Sequence, residues 1–443
     1  MVRHTFAAAL AAAAFAGSAF AQKGSRASHC PADAPCGGLY NDCGVGAFCL
    51  GGCDVTTSHS IDSCVPGPVC KSGKYPLSSL DDVQSIDKYL GDNSKINWQL
   101  QGQPVFWDDK MVLTMAEGTS GTLIASTFYV WYGKICANLR TSQGQGVVTA
   151  FIMMSDVKDE IDFEFVGTDI NNAQTNWYSQ GITDYTQMKK LPVDGDTVSE
   201  SHEYCIDWTE DELTWSIDGT GKRTTKKSET WNSTSNRFDY PQTPSRIMIS
   251  LWPAGLSSNG EGTIEWAGGL IDWQSKYMQN NMYVAVVSDV SVECYDPPSG
   301  ITKKGSKVYK YTDAKNPTNN TIQITDDYIV LASLENTGEN PGDASKSSST
   351  STGPKPTKTA AQVPGGNPGG GLRGDTTTTA SGSNPSETSG SGSGASTTTG
   401  SGGQSFDQGT TNTGAGVVVE PGLGRVGGSA LAIVVAVLGL LVL

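Results

Sequence analysis

Asp159-Glu160-Ile161-Asp162-Phe163-Glu164-Phe165 decides how the rest of this 443-residue chain is read. Glu160, Asp162 and Glu164 alternate with Ile161, Phe163 and Phe165, and a period of two marks a β-strand with one acidic and one apolar face. A plain solvated sheet face has the same alternation, but Phe151-Ile-Met-Met154 before it and Phe165-Val166 at its end are too apolar for a wet edge. Three carboxyls in one row hinder each other's ionisation, which spreads their pKa values. A protonated carboxyl beside an ionised one is the pair that glycosidic bond cleavage needs.

The stretch resembles the active-site strand of glycoside hydrolase family 16. In detail, Asp159-Glu-Ile-Asp-Phe-Glu164 is similar to the signature of its fungal Crh branch, the cell-wall chitin–glucan transglycosylases. The resemblance implies that Glu160 is the nucleophile, Glu164 the general acid/base in contact with substrate, and Asp162 a helper between them. Four residues of extended strand separate the Glu160 and Glu164 Cα atoms by about 13 Å. A retaining pair holds its carboxyl groups about 5–5.5 Å apart. The strand is therefore expected to curve around a concave face so that the side chains lean together.

Outward from this strand, residues 76–300 read as all-β. Short β-branched and aromatic runs recur between Gly, Asn and Asp turns, among them Thr122-Leu-Ile-Ala-Ser, Leu213-Thr-Trp-Ser-Ile and Arg246-Ile-Met-Ile-Ser-Leu-Trp. That rhythm predicts a sandwich of antiparallel sheets. The resemblance makes it a β-jelly roll with a concave substrate cleft. Leu80–Leu90 is the one modest helical candidate. Trp177-Tyr178, Trp208, Trp215 and Trp252 supply flat apolar groups of the kind glycan clefts use. Strand parity places Arg246, Met248, Ser250 and Trp252 on one face, which makes Trp252 a sugar-stacking candidate, with ordinary core burial as its alternative. Gly262-Thr-Ile-Glu-Trp-Ala-Gly-Gly269 matches the Crh pattern in full, and the sugar-contacting positions implied by it fall on Met248, Trp252 and Thr263. Some relatives carry a basic residue where this chain has Met248.

Seven of the ten cysteines crowd into residues 22–75. No His accompanies them at ligand spacing, so they read as disulfides and not as a metal site. If all ten pair, an odd number of bonds must tie this segment to the catalytic domain. Cys36-Gly-Gly-Leu-Tyr-Asn-Asp-Cys43 and its continuation to Cys53 resemble part of a hevein-type chitin-binding module, but lack its Cys-Cys-Ser start. Tyr40 and Phe48 are its candidate sugar-stacking rings, or else fill a small disulfide-bonded core.

Residues 1–21 read as a secretory signal peptide, with Arg3-His4 before an Ala-rich run and Ala19-Phe-Ala21 at its end. Residues 301–335 form an extension with a weak strand pattern at Tyr328-Ile-Val-Leu-Ala332. Residues 336–416 turn to Ser, Thr, Gly and Pro, a composition that cannot bury enough surface to order itself and suits an O-mannosylated stalk. Residues 417–443 end in an apolar tail behind Gly414-Ala415-Gly416, which reads as a GPI-anchor signal, with a retained single span as the alternative. Asn232 and Asn319 begin N-x-Ser/Thr sequons.

A net charge of −15 and a pI near 4.7 disfavour nucleic acid and anionic membrane surfaces as partners, and a neutral polysaccharide is compatible with them. No dinucleotide or phosphate-binding loop is present, and no cofactor is expected. The resulting expectation is an extracellular, GPI-anchored monomer that cleaves chitin and transfers it to β-1,3- or β-1,6-glucan by a retaining mechanism. A β-glucan hydrolase of the same family and a non-catalytic wall lectin or structural mannoprotein are the alternatives.

Overall fold

The computed structural model describes residues 29–39, 42–182 and 184–343. The signal peptide, the GPI-anchor tail and all but the start of the stalk lie outside the described residues, as does Tyr40.

Two eight-stranded sheets face each other. The first contains β1 (Val83–Ser85), β2 (Trp98–Gln101), β3 (Thr122–Ser126), β4 (Val147–Ser155), β5 (Glu160–Val166), β6 (Asn172–Tyr178), β7 (Lys189–Pro192) and β8 (Ser245–Pro253). Their order is β7-β6-β5-β4-β8-β3-β2-β1, antiparallel except for β1 on β2. The acidic stretch is thus a central strand. The second sheet runs through Thr220–Lys226, Glu212–Ile217, His202–Trp208, Gly133–Arg140, Met282–Cys294, Lys110–Ala116 and Val105–Trp107, with Gly73–Pro76 paired beside Met282–Cys294.

The core between the sheets is aromatic. Phe163 on β5 stacks between Phe151 (6.2 Å) and Phe165 (6.1 Å) and meets Tyr204 of the second sheet edge-on. Burying a side chain of this size stabilises the fold by about 1.5–3 kcal/mol. Trp208 and Trp215 face the core and are fully buried, so the expectation of cleft-lining rings at these positions is corrected. The one α-helix among the described residues, α1 (Glu261–Trp266), lies in the matched Gly262–Gly269 stretch. Leu80–Leu90 is not helical, because Val83–Ser85 is drawn into the sheet beside Trp98–Leu100.

All ten cysteines are bridged. Cys30–Cys43, Cys36–Cys49 and Cys53–Cys64 lie within the N-terminal segment, and Cys70–Cys294 fastens that segment to the sandwich. Cys136–Cys205 joins two neighbouring strands of the second sheet, so the sulfurs beside Glu203 are not free to hold a metal. The segment is docked by more than its covalent bond. Gly52 N–H donates to Asp156 Oδ1 (2.8 Å), as does the Tyr129 hydroxyl (2.7 Å), and Lys158 pairs with a buried Asp54 (3.3 Å). Burial pushes the Asp156 carboxyl up to about 6, and those two hydrogen bonds only partly offset it. Phe48 packs in this segment's core against Gly44 and is 2 % exposed, so it is not available as a sugar platform.

The C-terminal extension packs on the same segment. Val308–Tyr311 pairs with Ile322–Thr325 and with Gly67–Pro68. The strand expected at Tyr328–Ala332 is instead irregular backbone. Its Leu331 N–H bonds to the Leu90 carbonyl (2.8 Å), and the Tyr328 hydroxyl bonds to the Gly91 carbonyl (2.9 Å), so these tertiary contacts take the place of a ladder.

Candidate active site

Because β5 keeps its pleat over seven residues, Ile161, Phe163 and Phe165 enter the core while Glu160, Asp162 and Glu164 share the opposite face. Cross-strand registers extend that face into rows. Glu160 lies between Met154 of β4 and Tyr178 of β6, Asp162 between Ile152 and Asn176, and Glu164 between Ala150 and Gln174.

Two contacts fix the strand. Asp159, fully buried at its head, accepts hydrogen bonds from Gln180 N (2.8 Å), Gln242 N (2.9 Å), Thr243 N (3.0 Å) and the Thr243 hydroxyl (2.7 Å). A carboxylate with four donors is worth its burial, whereas one deprived of them is costly. At mid-strand the Trp215 indole donates to the Asp162 carbonyl at 2.9 Å. Arg223 lies over the Trp215 ring and bonds Thr175 of β6.

Glu160 is 0 % and Asp162 1 % exposed, while Glu164 opens onto a cleft. Burial raises all three carboxyls well above the usual range. The Glu164 charge adds to the rise at Glu160, that of Glu160 to the rise at Asp162, and that of Asp162 to the rise at Glu164. Asp162 also works in the opposite sense on Glu160, stabilising its carboxylate. Among the described residues no carboxyl oxygen of Glu160 or Asp162 meets a partner at full hydrogen-bonding geometry. A carboxyl raised in this way keeps its proton to higher pH than an ordinary one, which suits acid–base work.

The cleft beside Glu164 encloses about 270 Å³ and is walled by Gln174, Asn176, Tyr178, Tyr185, Met188, Thr263 and Trp266. Thr263, expected to contact sugar, lines this cleft. Trp252 is on the expected face but fully buried, stacked on Trp266 at 6.2 Å, so it underlies the cleft and presents no ring to it. Met248 lies on the far side of β4 from the acids, under the N-terminal segment and away from this cleft. The ring that lines the cleft is the half-buried Trp266, which sequence reading passed over. Its Nε1 donates to Gln174 Oε1 at 2.8 Å, holding the ring in place. Thr263 and Trp266 are three residues apart on α1 and share a face, a signal visible only once the stretch is read as a helix. Of the sequons, Asn319 is buried, and the Asn232 amide donates to Asp239 at 2.7 Å.

The model of glycosyl hydrolases family 16 matches residues 92–268. Crh-like protein 2 of Aspergillus fumigatus is 48 % identical over 367 residues, which cover 82 % of this chain and 83 % of that protein. The chain belongs to the Crh-like proteins of glycosyl hydrolase family 16. Congo red hypersensitive protein 2 of Saccharomyces cerevisiae is 42 % identical over 325 residues, covering 72 % of this chain and 69 % of that protein. A solved structure described as Crh5 transglycosylase in complex with NAG superposes with a TM-score of 0.50 at 28 % identity, over 61 % of this chain and 99 % of that one. This Crh-like chain is therefore an enzyme of the glycosyl hydrolase and transglycosylase kind, built as the jelly-roll sandwich its acidic strand implied.

Proposed function

We propose that this enzyme is a retaining transglycosylase that cleaves chitin and passes the cleaved chain to β-1,3- or β-1,6-glucan outside the cell. The observation that carries the reading is the row Glu160, Asp162, Glu164 on one face of β5, with only Glu164 open to the cleft. The structure of the Crh5 transglycosylase with NAG supports an N-acetylglucosamine polymer as donor.

Glu164 gives its proton to the glycosidic oxygen as the bond to the anomeric carbon breaks. The Glu160 carboxylate takes up that carbon as an ester. Asp162 keeps Glu160 ionised and oriented. Glu164, now a carboxylate, accepts the proton of an acceptor hydroxyl, whose oxygen displaces Glu160 and restores the starting configuration. Water as acceptor gives hydrolysis, and a sugar hydroxyl gives transfer. Transfer wins only if an oriented acceptor has a high effective molarity, and Trp266 with Tyr185 at the cleft rim supplies flat surface for it. The signal peptide, stalk and GPI-anchor signal read from the sequence support an extracellular, anchored monomer. Asn232 is the better placed of the two glycan candidates, since Asn319 is buried.

The test is incubation of the soluble protein with labelled chitin oligosaccharides, with and without laminarin. Label moving into laminarin supports the reading. Hydrolysis of laminarin alone, with the chitin oligosaccharides intact, assigns the enzyme to plain glucan hydrolysis.

A further inference from the structure

The face that carries the acids is asymmetric. On the β6 side of β5 it opens into the cleft of about 270 Å³, whereas on the β8–β3–β2 side a space of about 10 Å³ remains. What fills the second half is the disulfide-rich segment. Leu39, at the tip of the turn between Cys36–Gly37 and Cys43–Gly44, is buried in one apolar cluster with Leu123, Ala125, Met154 and Met248. The Gly51-Gly52 turn lies directly on Arg246, so closely that a Cβ at Gly51 would stand 2.3 Å from its guanidinium. Gly52 takes a φ of +88°, which glycine adopts freely, and aims its N–H at Asp156.

This covering is fixed and not a hinged lid. Three disulfides stiffen the segment and a fourth ties it to the sandwich. The pairing of Lys158 with buried Asp54 and the Asp156 bonds hold it against the end of β4. Met154 is on the strand next to β5 and Met248 one strand further. The obstruction therefore begins one to two strand spacings, about 5–10 Å, from the row of acids, which leaves room for roughly one or two sugar rings.

We propose that the disulfide-rich segment is a wall across one half of the substrate groove, so that the enzyme takes the end of a polysaccharide chain and not its middle. The inference rests on the glycan-cleaving reading above and adds to it a rule of where the chain is cut. It also replaces the expectation of a separate chitin-binding module, because the surface such a module would offer is spent on the groove.

The test uses end-labelled chitin oligosaccharides of four to eight units with the intact secreted protein, and sizes the first products. The wild type should release or transfer one short piece of constant length from the same end of every oligomer. Two variants remove the obstruction to different extents: replacing residues 38–42 by an Asn-Gly turn, which closes a two-residue hairpin on the Gly37–Cys43 pair, and Leu39→Ala, which keeps the turn length. Each variant's thermal midpoint reports whether it folds. The shortened turn should spread cleavage to internal bonds, and Leu39→Ala should do so in part. Internal cleavage already distributed along the oligomer in the wild type, or a fixed pattern unchanged in a folded variant, overturns the wall. Failure of wild type and variants alike to act on any chitin oligosaccharide strikes instead at the proposed donor, and removes the ground on which the wall was inferred.

Discussion

The indole of Trp215, on the second sheet, crosses the core to donate to the main-chain carbonyl of Asp162, midway between Glu160 and Glu164, at 2.9 Å. The contact ties the position of the acidic row to the sheet behind it. Trp215→Phe keeps an aromatic ring there and removes the donor. We expect about 1–3 kcal/mol of lost stability from the orphaned carbonyl and the smaller ring. We also expect kcat to fall about tenfold with KM nearly unchanged, since small displacements of reacting groups are costly. Kinetics well below the melting temperature separate the two effects, and an unchanged kcat would show that the contact serves folding alone.

The three acids are coupled, and the coupling has a sign. Burial is the main reason Glu164 holds its proton to high pH, and the Asp162 charge adds to it. In Asp162→Asn that charge is gone, so the Glu164 pKa falls and its acid form is lost at lower pH. The basic limb of the kcat/KM profile should move toward acid. A profile of unaltered shape, merely scaled down, would mean that Asp162 does not act through Glu164.

Cys70–Cys294 closes a loop with a sequence separation of 224. Loop-closure entropy gives such a bond about 5 kcal/mol at most. The double substitution Cys70→Ser, Cys294→Ser should lower unfolding stability by several kcal/mol in urea titration. The noncovalent dock on Asp156 and Lys158 should still hold the segment in place. A loss under about 1 kcal/mol would mean that the unfolded chain is already constrained there.

What could be read from the sequence was local. The alternation in 160–165 placed acids and apolar residues on opposite faces because a strand's period is rigidly two, and parity put Arg246, Met248, Ser250 and Trp252 on one shared face, which the strand register makes the acidic one. The odd cysteine count required a bond out of the N-terminal segment, which is Cys70–Cys294. Contacts between residues distant in the chain were not legible. Nothing near Leu39 in sequence announces that it packs on Met154 and Met248. Nothing near Trp252 shows that Trp266 overlies it. Trp208 and Trp215 looked like sugar platforms from residue type, yet their indoles bond to carbonyls across the core. At Val83–Ser85 and Tyr328–Ala332, tertiary pairing overrode short-range preference.

A covalent bond between Glu160 and sugar is open to direct observation. In Glu164→Ala, a chitin oligosaccharide carrying an activated aryl leaving group needs no protonation to depart, while the second step lacks its base, so the glycosyl-enzyme should accumulate. Intact mass spectrometry should show the protein heavier by one oligosaccharide, and peptide mapping should place the adduct on Glu160. Release of the aryl group with no covalent adduct, or an adduct on any other residue, would contradict the assignment of Glu160 as nucleophile.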